Sequence, residues 1–283
     1  MDKPLVSVIC VCYNHVRFVT EALDSVIAQT HQPIELIVID DGSTDGSPNE
    51  IKQWIAKHPE TTVLLNDVNL GYCMTFNKAA GYAKGKYLID LSADDRLMPD
   101  RIKIGVQVLE SMPMAGVTFS DAEYISETGD RLRLHSDRFA HHTIPSGNIY
   151  KELIERFFIC SPTMMFSRAV YAELGGYDEL LDYEDFDFWI RSSRNFQYFY
   201  TPQVLVKKRV VSGSLSHTQF AFRSKHSVTT LRVCEKILEL NQTPDEQKAL
   251  QKRIRYEILL NLKLGNCKVV GQYLMLGWKN FWK

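Results

Sequence analysis

The 283-residue chain lacks both of the common glycine-rich phosphate cradles: no GxxxxGK[ST] occurs, and no GxGxxG follows its first apolar segment. Phosphate would have to be held some other way, most simply through a divalent cation on carboxylates. None of the six cysteines (Cys10, Cys12, Cys73, Cys160, Cys234, Cys267) falls in a CxxC, and no His/Cys cluster has zinc-ligand spacing. Cys10 and Cys12 lie two apart in a strand, so they face the same side and do not readily bridge. Buried free thiols in a reducing cytoplasm are expected. There is no uncharged apolar run of about 18 residues and no basic-plus-apolar leader before Leu5, so neither a spanning helix nor a secretory signal is expected. A net charge of −1 argues against a general nucleic-acid binder.

What is present is ordinary for a soluble domain: 45% hydrophobic and 24% charged residues. Charge is unevenly spread. Residues 216–283 hold 12 Lys and Arg against 5 Asp and Glu, and residues 1–215 hold 21 against 29. The imbalance suggests an acidic domain over 1–215 and a basic extension over 216–283. Strand-like and helix-like segments alternate over the first 120 residues. Strands are expected at 5–11, 34–39, 61–65, 86–91 and 115–119, with helices between them; Ser47-Pro48-Asn49-Glu50 reads as a capping box opening one of these. This alternation implies an α/β fold with a mostly parallel, Rossmann-like central sheet flanked by helices. Farther on, 135–148 reads as loop, 162–166 and 203–207 as strands and 183–194 as a helix. The chain is expected to be helical from Gln219, with a second capping box at Thr243-Pro244-Asp245-Glu246.

Two of the apolar strands run into paired aspartates, Asp40-Asp41 and Asp94-Asp95. Adjacent carboxylates at a buried strand end repel and resist desolvation unless a cation or donor-rich ligand is near. In open α/β sheets that end of the strands is where ligands bind.

The ordered set of motifs resembles the family 2 glycosyltransferases of the GT-A fold. It comprises Val6-Ser-Val-Ile-Cys-Val-Cys-Tyr13-Asn14, Glu35-Leu-Ile-Val-Ile-Asp40-Asp41-Gly42-Ser43-Thr44-Asp45, Asn69-Leu-Gly71, Asn77-Lys-Ala-Ala, Ala83-Lys-Gly85-Lys-Tyr-Leu-Ile before Asp94-Asp95, and Glu184-Asp185-Phe-Asp-Phe-Trp189. It spans residues 5–215. The resemblance implies an inverting hexosyl- or N-acetylhexosaminyltransferase that uses a nucleotide-sugar donor, expected to be UDP-linked, and Mn²⁺ or Mg²⁺. Its implied nucleotide-sugar pocket is lined by Tyr13, Asn14, Asp40, Asp41, Asn69, Gly71, Asn77 and Asp94, with Asp95 on the metal. Asp185 is the implied general base and Glu184 its neighbour. Where relatives carry Asp-x-Asp-Asp, this chain has Ser92 at the first position. Where many carry a histidine after the last sheet strand, it has Val211, and His217 lies close enough in sequence to substitute. Trp189 reads as a sugar platform or, more simply, as core. A nucleotidyltransferase and a non-catalytic sugar-binding module are the rival readings. The first would want a basic Gly-rich loop in place of Tyr13-Asn14-His15, and the second would show damaged carboxylate motifs.

The implied acceptor is a saccharide or lipid-linked saccharide of the cell envelope, selected by residues 135–165. The extension carries Arg223, Lys225, Arg232, Lys236, Lys252, Arg253 and Arg255 and closes on an aromatic segment, Tyr273 to Trp282. Such a segment suits an anionic membrane surface, giving a cytoplasmic protein peripheral at the inner face of the plasma membrane. A packed helical cap and a homodimer contact are the alternatives.

Overall fold

A computed structural model describes residues 3–112, 114–139, 143–212, 222, 224 and 226–282. Its strands are β1 (Val6–Cys12), β2 (Ile34–Asp40), β3 (Thr62–Leu65), β4 (Tyr87–Ser92), β5 (Arg96–Leu97), β6 (Ala115–Ile125), β7 (Arg131–Leu134), β8 (Met165–Ser167) and β9 (Gln197–Arg209). The described α-helices, numbered consecutively, are α1 (Val19–Ile27), α2 (Ser47–Ile55), α3 (Tyr72–Ala80), α4 (Arg101–Ser111), α5 (Tyr150–Glu155), α6 (Arg168–Glu173), α7 (Asp185–Ser193), α8 (Ser227–Leu240), α9 (Pro244–Lys263) and α10 (Cys267–Trp282). The strands form one sheet in the order β3-β2-β1-β4-β8-β6-β9-β5, with β7 added on β6.

The two halves of the sheet differ. β3, β2, β1 and β4 are parallel, and β1, buried at every residue, pairs with β2 and β4 at once. Continuous burial on both faces is why β1, β2 and β4 read as unbroken apolar runs rather than alternating ones. Beyond β4 the sheet is mixed. β8 runs antiparallel to β4 and β6, β9 runs parallel to β6, and β5 and β7 are antiparallel additions. The strand expected at 203–207 is the middle of the 13-residue β9. The apolar pattern reads short there because the exposed Pro202 and Gln203 interrupt it.

Local chemistry agrees with the sequence at one cap and not at the other. Thr243 and Glu246 form the reciprocal capping box of α9. Ser47 caps nothing: the N-cap of α2 is Gly46 at φ 97°. The Ser47 hydroxyl donates to Asp45 Oδ1 (2.6 Å) and accepts from the His15 N–H (3.0 Å). The aspartate two residues before the serine captures its hydroxyl.

Two apolar clusters flank the sheet. The smaller one packs α1, α2 and α4 against β1, β2 and β4. The larger one is continuous from Phe76, Phe119 and Phe188 to Val233, Leu250 and Tyr273 of the C-terminal helices. Polar ties cross the same seam: Lys236 reaches Asp178 and Asp187 (2.6 Å each), and Arg194 reaches Glu246 (2.9 Å). Arg253 is buried and lies over the Phe157 ring (4.2 Å). Part of the basic surplus of the extension is therefore spent internally. Arg223, Lys225 and the 215/216 boundary lie outside the described residues.

Candidate functional site

The parallel register sets the site. Cys12 of β1 pairs with Asp40 of β2, and Val11 with Ser92 of β4. Three strands thus end at one level, each delivering its polar residues to the same edge.

Asp40 and Asp41, adjacent and both buried, do different work. Asp41 is saturated by the protein. Its Oδ1 accepts from Thr75 Oγ1 (2.6 Å), Leu70 N (2.9 Å) and Asn66 Nδ2 (3.0 Å), and its Oδ2 from Gly71 N (3.0 Å). This carboxylate staples the 66–71 loop and the start of α3 to the end of β2. Asp40 accepts from Ser43 N through Oδ1 (2.9 Å), while its Oδ2 is buried with no partner. A buried, unpaired carboxylate oxygen is costly in a folded protein and marks a place where a donor is missing.

The loop around this oxygen is rigidly built. Asn14 sits at φ 57°, its N–H donates to Ser43 Oγ (2.8 Å), and its Oδ1 accepts from Thr44 N (2.8 Å). Gly42 is at φ +70°, where a Cβ would stand 2.5 Å from the Val68 carbonyl carbon. Tyr13 is 44% exposed at the mouth. Asn69 Oδ1 accepts from Gly71 N (3.1 Å), a turn contact.

Asn77 is not brought to this pocket's polar groups. Its Nδ2 donates to Tyr177 O and Glu179 Oε1 (2.9 Å each), and its Oδ1 accepts from Tyr177 N (2.9 Å) and the Tyr171 hydroxyl. It clamps α3 to the Gly176-Tyr177 turn. Trp189 is core: it is buried, donates to Met164 Sδ and packs edge-on to Phe157. Asp187 is also consumed, by Arg191 and Lys236 (2.6 Å each).

The second pair lies past β4. Asp94 accepts from the Ser92 hydroxyl (2.5 Å), and its other oxygen is 3.9 Å from His15 Nε2. The His15 Nδ1 is buried without a partner. Asp95 is buried and accepts from Arg209 N (2.9 Å). Burial, then the charge of Asp94, pushes the Asp95 carboxyl well above the usual range. Arg209 braces the pair: its Nε donates to Asp94 O (3.1 Å) and its Nη2 to Glu21 Oε2 (2.6 Å). Val211 stands just past β9, and His217 lies outside the described residues.

Glu184 and Asp185 occupy the N-terminus of α7, with Glu184 as N-cap residue. Both carboxyls are raised, first by burial; for Glu184 the charges of Asp185 and Asp90 follow. Lys208 of β9 faces this acidic set. Burial works against its ammonium, but Cys160, Asp95, Tyr124 and Asp185 outweigh that and hold it above the ordinary lysine range. Sequence reasoning missed His15, Lys208 and Asp90. The clue for Asp90 was a lone carboxylate inside the apolar run Tyr87–Leu91; for Lys208 it was the position beside Arg209.

Among the described residues no three His, Cys, Asp or Glu side chains converge into a ready-made cage. An acidic pair, Asp95 buried and Asp94 half-buried, with one backbone donor to Asp95 nonetheless fits a cation that takes one or two protein carboxylates and completes its shell with water and phosphate oxygens.

Residues 7–175, more than half of the chain, match the description glycosyl transferase family 2. The chain belongs to that family. Among its relatives, an uncharacterised glycosyltransferase of Methanocaldococcus jannaschii is 29% identical over 235 residues, covering 82% of this chain and 80% of that protein. A putative teichuronic acid biosynthesis glycosyltransferase of Bacillus subtilis is 27% identical over 224 residues, 79% and 86% of the two chains. A Rickettsia felis glycosyltransferase, 29% identical over 236 residues, is longer: the match spans 82% of this chain and 37% of that protein. Of solved structures, a Pyrobaculum calidifontis mannosyltransferase in complex with GDP-Man and Mn²⁺ superposes with TM-score 0.68 at 18% identity, over 98% of this chain and 74% of that one. Staphylococcus aureus TarS in complex with UDP-GlcNAc superposes with TM-score 0.66 at 15% identity, over 96% and 90%. These likenesses carry the GT-A fold. This family 2 glycosyltransferase has no described helix long and apolar enough to cross a membrane.

Proposed function

We propose that the protein transfers a hexosyl or N-acetylhexosaminyl group from a UDP-linked sugar to a saccharide or lipid-linked saccharide, with inversion at the anomeric carbon. The observation that carries this is Asp40 Oδ2, a buried acceptor without a donor at the end of β2. An N–H of a pyrimidine base meets that need through a charge-assisted hydrogen bond. Tyr13 and Asn14 border the base, and Asp94 takes the ribose or shares the cation. Asp95 is the protein's ligand for Mn²⁺ or Mg²⁺. When bound, such a cation supplies Lewis-acid neutralisation of charge on the departing diphosphate.

Asp185 is the general base. The acceptor hydroxyl oxygen bonds to the anomeric carbon as the bond from that carbon to the diphosphate oxygen breaks. The bonding pair leaves on the nucleoside diphosphate, and the hydroxyl proton passes to Asp185. Lys208, facing Asp95 and Asp185, offsets part of the negative charge that collects between them. The Bacillus relative's name points toward an envelope polysaccharide as acceptor.

Membrane contact belongs to the same reading. α10 exposes Leu274, Met275, Trp278, Phe281 and Trp282, with Lys268 and Lys279 also exposed. Aromatic and basic groups on one helix suit the headgroup region of an anionic bilayer.

The test is a panel of nucleotide sugars with Mn²⁺, scored for binding and slow hydrolysis. Binding of UDP-sugars is expected; if no nucleotide sugar binds with or without metal, the proposal fails. In Asp185→Asn, donor binding should persist while transfer falls by about 10²–10⁴-fold. Unchanged transfer would remove Asp185 as the base.

A further inference from the structure

Strand β4 carries a carboxylate that neither the donor pocket nor the cation site accounts for. Asp90 pairs in register with Ile9 of β1 and is 6% exposed. Two residues from Leu88, it faces the larger core. A charge there is costly unless it is hydrogen-bonded. Two phenols supply the bonds: Tyr72 Oη donates to Oδ1 (2.5 Å) and Tyr177 Oη to Oδ2 (2.9 Å).

Both tyrosines lead to the site. Tyr72 is the first residue of α3, directly after Gly71, whose N–H is held by Asp41. The Tyr177 ring packs against Phe76 of α3 (centroids 4.6 Å) and Phe188 of α7 (5.5 Å). The Phe188 N–H in turn donates to Glu184 O (2.9 Å). Asp90 therefore ties β4 to the start of α3 and, through Tyr177, to the first turn of α7.

Building on the reading of Asp185 as base, we propose that Asp90 is a positioning residue for the Glu184–Asp185 pair: its carboxylate anchors the two tyrosines that fix the first turn of α7 and places a third negative charge within electrostatic reach of the pair. The charge sets it apart from a neutral residue that could also bond two phenols. Burial pushes the Asp90 carboxyl up to about 7, with the charge of Asp185 adding to the rise. Asp90 and Asp185 both oppose ionisation of Glu184. Both charges favour the protonated form of Glu184. The groups facing this cluster are Cys10 of β1, Tyr72 and Cys73 of α3, Tyr171 of α6, Tyr177, and Lys208 of β9, the cation whose charge acts on Glu184 and Asp185.

Carboxyl ¹³C NMR titration of the full chain, without nucleotide or metal, tests this. Asp90→Asn should lower the Glu184 midpoint by about one pH unit, a tenfold loss of proton affinity. An unmoved midpoint in a folded Asp90→Asn protein, checked by circular dichroism, overturns the proposal. If that variant does not fold, Asp185→Asn reads the same field from the other side: the Asp90 midpoint, which the Asp185 charge raises, should fall, and an unchanged one overturns the proposal equally. Neither measurement uses a nucleotide sugar, so its failure is distinguishable from failure of the donor and base assignments.

Discussion

Asp40 and Asp41 should behave as opposites under the same substitution. In Asp41→Asn, the carboxylate that accepts four hydrogen bonds becomes an amide with one acceptor oxygen. The –NH₂ must then face the Gly71 N–H or the cluster from Asn66, Leu70 and Thr75, leaving buried donors opposed. Each unsatisfied buried group costs about 1–3 kcal/mol, and bonds to a charged acceptor lie at the upper end. Two such groups and incomplete relaxation give a loss of roughly 3–5 kcal/mol, enough to shift a urea midpoint by more than 1 M at about 1–3 kcal/mol per M. Asp40→Asn keeps an oxygen for Ser43 N and alters an atom that already has no partner. Its stability should change by less than about 1 kcal/mol. On the proposed role of Asp40 it removes a charge-assisted bond to the nucleotide, worth about 1.5–3 kcal/mol, or roughly 10–150-fold in affinity. Urea unfolding and calorimetric titration with UDP measure both quantities on both proteins. Equal destabilisation of the two variants, or intact UDP affinity in Asp40→Asn, would refute the division of roles.

Three further outcomes are expected. Gly42→Ala should lower stability by about 2–4 kcal/mol and weaken UDP binding, because a left-handed φ and a Cβ 2.5 Å from backbone force the 66–71 loop aside; thermal denaturation and the same titration check it. The raised Asp90 carboxyl takes up its proton more readily in the folded chain than in the unfolded one. Its contribution is complete below the ordinary aspartate value of 3.8 and is lost as pH rises toward about 7, so wild type should lose more stability than Asp90→Asn across that window in metal-free buffer. Replacing Trp278, Phe281 and Trp282 together by serine should abolish sedimentation with phosphatidylglycerol-containing vesicles while leaving UDP affinity unchanged; a concentration-dependent dimer lost in the same variant, with no vesicle binding in wild type, would favour a second copy as the occupant of that face.

Periodicity made the parallel half of the fold readable, because β1, β2 and β4 are buried on both faces and spell out as apolar runs, two of them leading into paired aspartates. The mixed half was less readable. β8 is three residues long, and the exposed Pro202 and Gln203 in β9 break the apolar pattern that a strand search follows. In the site, residue type was legible and allegiance was not. Asp40 and Asp41 are indistinguishable in sequence; what separates them is which way each carboxylate points, and the donors of Asp41 come from residues 25 to 34 positions away. The partners of Asn77 were out of sequence reach for the same reason, lying about 100 residues downstream. Asp90 went unnoticed because a strand's alternation says which face a carboxylate takes, not that two tyrosines wait there.

The mixed order of the sheet has a consequence for how the enzyme can change over time. The donor edge depends on β1, β2 and β4, which lock one another in a single parallel ladder. The stretch from β6 to β8 joins that ladder through two residue pairs alone, Tyr87–Ser167 and Leu88–Phe166, at the end of β4 remote from the acids. The Ser126 and Glu127 carbonyls hold the Arg209 guanidinium that braces Asp94, so it is beyond that turn, toward Met165, that insertions or sequence drift can reshape this flank while Asp40, Asp94 and Asp95 keep their level. A lineage built this way can vary one flank of the sheet while its strand-end carboxylates stay fixed.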